Sequence, residues 1–267
     1  MKRRTWKNTA LLLASAVFVI FSGCFRARSV GAAAAENPYG WERLSGYTTY
    51  YSQKDAGRCA NIQIAAALVD GITLQPYGEF SFNATVGRRT AESGFQQAKI
   101  IVNGEYVQGV GGGVCQVSTT LYNAALLSGL TVTEYHPHSL QVGYVAPSRD
   151  AMVSTHSDLK LFNPKSSAVY LSAKTFDGGI KVCFYGKDEG DRYEIISKTL
   201  ASLPPPQPIV KAGEKEEILR EEKWGVQSEA YIERYRGGVL LSRKRLRKDE
   251  YRPVQAIVAK KIAETTN

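Results

Sequence analysis

The chain has 267 residues, of which 43% are hydrophobic and 22% charged, and it carries a formal net charge of +9. That balance suffices for one good-sized globular core with a smaller appendage and excludes disorder throughout. The positive charge points to an anionic partner, but the basic residues gather at the N-terminus and in Arg243-Lys244-Arg245-Leu246-Arg247-Lys248. They do not stud an aromatic surface, so no nucleic acid partner is expected. The basic run near the C-terminus reads either as a solvated face or as a surface attracted to anionic polymers or lipid headgroups.

In chain order, Lys2, Arg3, Arg4 and Lys7 precede an uncharged, largely apolar run from Ala10 to Phe25. A basic start followed by an apolar stretch has the form of an export segment, placed at residues 1–35. Three outcomes fit it: lipoprotein-type processing at Phe21-Ser22-Gly23-Cys24, cleavage after Ala32 to Ala35, or an uncleaved membrane anchor with its positive end inside. Each delivers the remainder outside the cytoplasmic membrane. Of the four cysteines, Cys59, Cys115 and Cys183 fall beyond this segment. An odd number cannot all pair, and the usage is too sparse for a disulfide scaffold.

The next signals are local. Asn61 to Leu68 predicts a short helix with Asn61 as its cap and Gly71 as its stop. Residues 72–82 end in an alternation of Phe80 and Phe82 with polar neighbours, as in a half-buried strand. Asn103-Gly104 between two β-prone runs, 99–102 and 105–108, predicts a hairpin. Val114, Val117, Leu121 and Ala124 recur at helical spacing up to Leu127, and Gly129 stands where a left-handed cap is wanted. Short runs at 131–134, 141–146, 151–154, 158–162, 168–174 and 180–185 predict strands. The expected fold class is therefore α+β, a mixed sheet with a few helices, over a main domain at residues 36–200. Pro204-Pro205-Pro206-Gln207-Pro208 and the charges after it predict a linker over 201–223. Residues 224–267 predict a small β-rich tail, with a hairpin turning at Gly237-Gly238, too short to bury much core alone.

The chemistry gathers around Gly111-Gly112-Gly113-Val114-Cys115-Gln116. Glycines allow a sharp turn and close approach to a ligand, and a helix start stabilises an anion through its unpaired amides and dipole. Cys115 in that first turn is expected to have a lowered pKa and to serve as a nucleophile. Gly112, Gly113 and Gln116 are candidate oxyanion donors, and Ser118, on the same helix face as Cys115, is a candidate substrate contact. A base must come from His136, His138 or His156, the chain's three histidines. Asp150 and Asp158 are the nearest candidate carboxylates downstream to orient it. Cys115 with His136 and His138 also forms a possible zinc set, but with no second cysteine nearby neither a metal nor a cofactor is expected.

These residues resemble a known pattern. Residues 76–83, Val86-Gly87-Arg88-Arg89-Thr90, Gly94-Phe95, residues 111–123, His138-Ser139, Tyr144-Val145, Asp150-Ala151 and residues 158–163 are similar to the VanW family of Gram-positive bacteria, over roughly Gly46 to Gly186. Two departures stand out. Tyr77 interrupts a Pro-Gly-Glu run, and Ser148-Arg149 replace a glycine and an apolar residue before Asp150. The resemblance implies an exported protein with cysteine-dependent L,D-transpeptidase activity on peptidoglycan stem peptides, attached to the membrane through its N-terminal segment and in contact with cell-wall polymers. It also implies Cys115 as nucleophile and His138, on the family's His-Ser position, as base. A wall peptidase or amidase using the same cysteine, and a non-catalytic accessory protein linked to vancomycin resistance, are the alternatives. The tail resembles a degenerate G5 module through Gly237-Gly238 and Tyr251-Arg252-Pro253.

Overall fold

The computed structural model describes residues 39–102 and 104–261, so the expected export segment lies outside the described residues. Glu36–Asn267 form one compact unit. The architecture is α+β, with helices packed among several small sheets.

Strand β1 (Glu42–Tyr50) leads into helix α1 (Ala56–Val69), which is followed by β2 (Thr73–Leu74), β3 (Glu79–Ser81) and a short helix α2 (Phe82–Val86). The hairpin β4 (Gln97–Val102) and β5 (Glu105–Val110) precedes helix α3 (Val114–Leu127), β6 (Thr131–Glu134) and β7 (Lys160–Phe162). Then come β8 (Val169–Phe176), β9 (Gly179–Gly186), β10 (Asp191–Leu203), β11 (Ile209–Ala212), β12 (Glu217–Arg220), β13 (Gly225–Arg236), β14 (Val239–Tyr251) and β15 (Ile257–Lys260).

The main sheet runs β1-β9-β8-β2, and its strands pair antiparallel. Ile180, Val182 and Phe184 of β9 are buried in the principal core with Leu171 of β8, Ile62 and Ala66 of α1 and Leu121 of α3. Smaller sheets run β3-β7-β6, β10-β13-β14 and β11-β15-β12.

Helix α1 starts earlier than its sequence signal. Asp55 caps it, its side chain accepting from the Arg58 amide at 2.9 Å, and Ile62, Ala65, Ala66 and Val69 repeat at helical spacing on the buried side. Asn61 is not the cap but a buried mid-helix residue. The expected strand through Phe82 stops at Ser81, whose hydroxyl accepts from the Ala84 amide at 3.0 Å and starts α2. Segments 141–146 and 151–154, expected as strands, are extended or turning chain outside any sheet. The backbone groups of Ala151 bond to Ser118 and Thr119 of α3 instead.

The hairpins follow their glycines. Val102 pairs with Glu105 beside Gly104 at φ 82°. Arg236 pairs with Val239 across Gly237 and Gly238, at φ 56° and 81°. In the second turn, positive φ at both central positions gives the twist that matches paired strands.

Residues 201–223, expected as a linker, include the end of β10 and the strands β11 and β12, both hydrogen-bonded to β15. The hairpin of β13 and β14 extends the sheet begun by β10, and Ile232 and Leu246 pack against the principal core. Arg247, inside the run expected as a solvated face, is buried.

Candidate active site

The glycine turn before α3 is held by β4 and by α1. Gly113 is the N-cap residue at φ 108° and Gly111 sits at φ 89°, conformations that a side chain disfavours. Gly112 lies against β4 so closely that a Cβ there would stand 2.7 Å from the Lys99 carbonyl oxygen and 2.8 Å from the Ala98 Cβ. Asn61 of α1 ties the turn down. Its amide nitrogen donates to the carbonyls of Gly112 and Gln96, both at 2.9 Å, and its oxygen accepts from the Gln96 amide at 2.7 Å.

Helix α3 is buried along nearly its whole length; only Cys115 and Leu127 retain more than marginal solvent access. Its buried polar face carries the next segment of the site. Ser118 Oγ donates to the Ala151 carbonyl at 2.6 Å, Thr119 Oγ1 accepts from the Ala151 amide at 2.9 Å, and Asn123 donates to the Arg149 carbonyl at 2.8 Å. These bonds set residues 149–153 in register with the helix. The Val153 carbonyl then lies 3.3 Å from the Cys115 sulfur, and the Val153 amide donates to that sulfur at 3.5 Å.

Asp150, in the same segment, meets His138. One carboxylate oxygen accepts from both the His138 backbone amide and its Nδ1, each at 2.7 Å. With Nδ1 so engaged, the second electrostatic partner of the imidazole is Cys115. Burial opposes the charge on His138, but hydrogen bonds to Asp150 and Cys115 and their negative charge push its pKa up to about 9. Burial likewise opposes the Cys115 thiolate. The His138 imidazolium, the Val153 amide and the positive charge of Arg89 outweigh it and hold the thiol below its ordinary value. Both directions favour passing the thiol proton to the imidazole, with the carboxylate behind it.

The carboxylate has partners that the sequence did not disclose. Tyr251 of β14 donates to the second Asp150 oxygen at 2.5 Å and accepts from the Ser148 amide at 2.7 Å. Arg247 donates to the Asp150 carbonyl at 2.5 Å, lies 3.4 Å from its side chain, and is itself held by Asp249 at 2.6 Å. Its guanidinium also sits 4.8 Å over the Tyr135 ring. Burial opposes the charge of Asp150, and His138, Arg247 and Tyr251 together pull its pKa down. Their separation of about a hundred residues from Asp150 hides these contacts from any local pattern. Ser148, which stands where the family pattern has glycine, takes φ 57°. Its hydroxyl meets that of Ser228 at 2.7 Å, and with the Tyr251 contact this offsets the strain of about 1–2 kcal/mol.

Other expected site residues are engaged elsewhere. The Gln116 side chain donates to Thr49 at 3.0 Å and to the Tyr50 carbonyl at 2.9 Å, and accepts from Arg58 at 2.6 Å. It is a fully buried brace between α3, β1 and α1, with no donor left for an oxyanion. Ser118 is likewise committed to Ala151 and fully buried, so it makes no substrate contact. Asp158 does not orient the histidine: it accepts from Ser81 Oγ at 2.5 Å and from the amides of Asn83 and Leu159 at 2.8 Å, anchoring the start of α2. His136 turns to Glu134 at 3.0 Å, so the zinc set is not assembled. Gly112, Gly113, Cys115 and His138 all border a cavity of about 740 Å³.

Comparison with known proteins finds relatives of the segment around this site. The family model described as VanW like protein matches residues 57–185. That segment is similar to the VanW family. It holds Cys115, His138 and Asp150, while Arg247 and Tyr251 lie beyond it. Among curated relatives, the uncharacterized protein YoaR of Bacillus subtilis is 37% identical over 164 residues, covering 61% of this chain and 52% of that protein. The Vancomycin B-type resistance protein VanW of Enterococcus faecalis is 25% identical over 126 residues, covering 44% of each. The chain thus spans about half the length of the curated relatives it matches. A solved structure described as HP0197-G5 is 18% identical, with a TM-score of 0.17, and covers 26% of this chain and 93% of that one.

Proposed function

We propose that this VanW-like protein is an exported cysteine acyl transferase of the L,D-transpeptidase type, acting on peptidoglycan stem peptides. The observation that carries the proposal is the series Asp150, His138 and Cys115, which ends at a half-buried cysteine bordering the cavity. A structural cysteine needs neither a charged imidazole nor a carboxylate behind it; a nucleophile needs both. The basic and apolar N-terminal sequence supports an extracytoplasmic location, attached to the cytoplasmic membrane or released to the wall.

In this reading the Cys115 thiolate attacks the carbonyl between the third and fourth residues of a donor stem. The Cys115 amide, at the positive end of α3, supports the oxyanion. The amides of Val114 and Gln116 are bonded to the Gly111 and Gly113 carbonyls and do not share this role. As the tetrahedral adduct collapses, the carbon–nitrogen bond breaks, and His138 gives its proton to the departing D-alanine amine. The resulting thioester is attacked by the amine of a second stem, whose proton passes to the now neutral His138. Amide formation regenerates the thiolate and the imidazolium.

Purified protein incubated with tetrapeptide muropeptides tests this by mass spectrometry. Release of D-alanine together with cross-linked dimers is expected, and Cys115→Ala abolishes both. Undiminished products from that variant overturn the proposal. D-alanine release with tripeptide monomers alone replaces transfer with hydrolysis at the same cysteine.

A further inference from the structure

The cavity at Cys115 has an unbalanced charge. Arg58, Arg88, Arg89 and Lys99 border it, and no aspartate or glutamate does. None of the four forms a salt bridge among the described residues. Arg58 donates to the neutral Gln116 amide. Arg89 donates to Asn83 at 2.7 Å and to the Gly87 carbonyl at 3.2 Å. The Lys99 ammonium lies 5.9 Å from the centre of the Tyr106 ring. Arg88, which is exposed, has no hydrogen-bonding or ionic partner among the described residues. Some arginines elsewhere do find carboxylates: Arg192 meets Asp188, Arg234 and Arg236 meet Asp191, and Arg220 meets Glu105. What sets this site apart is that four cations and no carboxylate line one cavity.

Uncompensated like charges raise the free energy of the empty site, and partly apolar walls focus their field. The arrangement is stabilised when an anion enters. The charge of Arg89 also reaches the reacting atom, since it helps to hold down the Cys115 pKa. Arg88, Arg89 and Cys115 line the same cavity, so an anionic group bound beside the two arginines shares it with the sulfur. A cavity of about 740 Å³ is large enough for several residues of a peptide with its end group.

We propose that this cationic wall is the subsite for the free C-terminal carboxylate of the donor peptide. It makes the site select a chain end one residue beyond the attacked carbonyl over an internal peptide bond. The proposal rests on the reading of Cys115 as an acylating nucleophile and adds to it the charged feature by which the donor is recognised. A planar carboxylate matches the fork of a guanidinium in a two-point contact. Arg88 and Lys99, whose cations are exposed and not neutralised, are the recognition residues; Arg58 and Arg89, tied to neutral partners, supply the fixed background field.

The test uses Cys115→Ala protein, which cannot turn over, and two synthetic stem tetrapeptides that differ only in a free or an amidated C-terminus. Calorimetric titration is expected to show the free acid bound about tenfold or more tightly than the amide, a difference of about 1.4 kcal/mol. Adding Arg88→Gln and Lys99→Gln is expected to erase that preference while leaving the far-ultraviolet circular dichroism unchanged. Equal binding of acid and amide overturns the subsite, as does a preference that survives in the triple variant. Turnover separates this result from the underlying mechanism. If wild-type protein processes acid and amide equally through Cys115, acyl transfer stands and the subsite falls. If it binds the acid preferentially but releases no D-alanine, acyl transfer falls and the subsite stands.

Discussion

Tyr251→Phe isolates the contact between the C-terminal hairpin and the site. The change removes one oxygen and keeps the ring, which is 1% exposed, so little cavity is created. Two hydrogen bonds go with that oxygen: the donation to the Asp150 carboxylate at 2.5 Å and the acceptance from the Ser148 amide at 2.7 Å. A hydrogen bond to a charged group contributes about 1.5–3 kcal/mol, and leaving the Ser148 amide without an acceptor costs a further 1–3 kcal/mol or so. Partial relaxation trims the sum, and a loss of about 3 kcal/mol is expected. For a protein of this size that lowers Tm by about 6–12 °C. Thermal unfolding followed by far-ultraviolet circular dichroism measures it directly. A double-mutant cycle with Asp150→Asn then assigns the share due to the carboxylate. A fall in Tm under about 2 °C would refute the claim that Tyr251 holds Asp150, and with it the integration of the tail into the site.

Two further outcomes follow from the same geometry. The raised His138 pKa, about 9, means that the imidazolium's contribution to stability is complete below the ordinary histidine value and is lost as pH rises through about 9; the lowered Cys115 pKa means that the thiolate's contribution is lost as pH falls through that lowered value. Iodoacetamide should therefore label Cys115 at pH 7 faster than an ordinary thiol, and His138→Ala, which leaves burial less opposed, should slow labelling at least about tenfold; equal rates in the two proteins contradict the pairing. Gly112→Ala places a methyl 2.7 Å from the Lys99 carbonyl oxygen and should destabilise the fold by about 1–3 kcal/mol, read from the urea midpoint; an unchanged midpoint shows that the turn has room to spare.

The elements that were legible share one property, which is that their cause lies within a few residues. Helix α3 was visible from the spacing of Val117, Leu121 and Ala124 and from Gly129, which takes φ 78° just beyond its end. The turns at Gly104 and Gly237-Gly238 were visible because glycine there satisfies a backbone requirement on the spot. The misreadings share the opposite property. Asn61 has the residue type of a helix cap, yet its side chain spans to Gln96 and Gly112, contacts that no window along α1 includes. Gln116 sits beside the nucleophile in the sequence but is turned inward by Thr49, Tyr50 and Arg58. Residues 151–154 have strand-like composition, but Ser118 and Thr119 of α3 take the Ala151 backbone groups that a sheet partner would have used.

From the sequence alone came the class of fold, the helix start that presents Cys115, the family pattern, and the short list of histidines and aspartates from which a site could be drawn. Tertiary structure alone decided that His138 pairs with Asp150, that Asp158 anchors α2, and that Arg247 and Tyr251 of β14 close around Asp150 across 97 and 101 residues of chain. Backbone dihedrals and side-chain periodicity are local energies, so they leave a local trace. The partner of a buried charge is chosen by the packing of distant elements, because only there does the cost of leaving it unpaired appear.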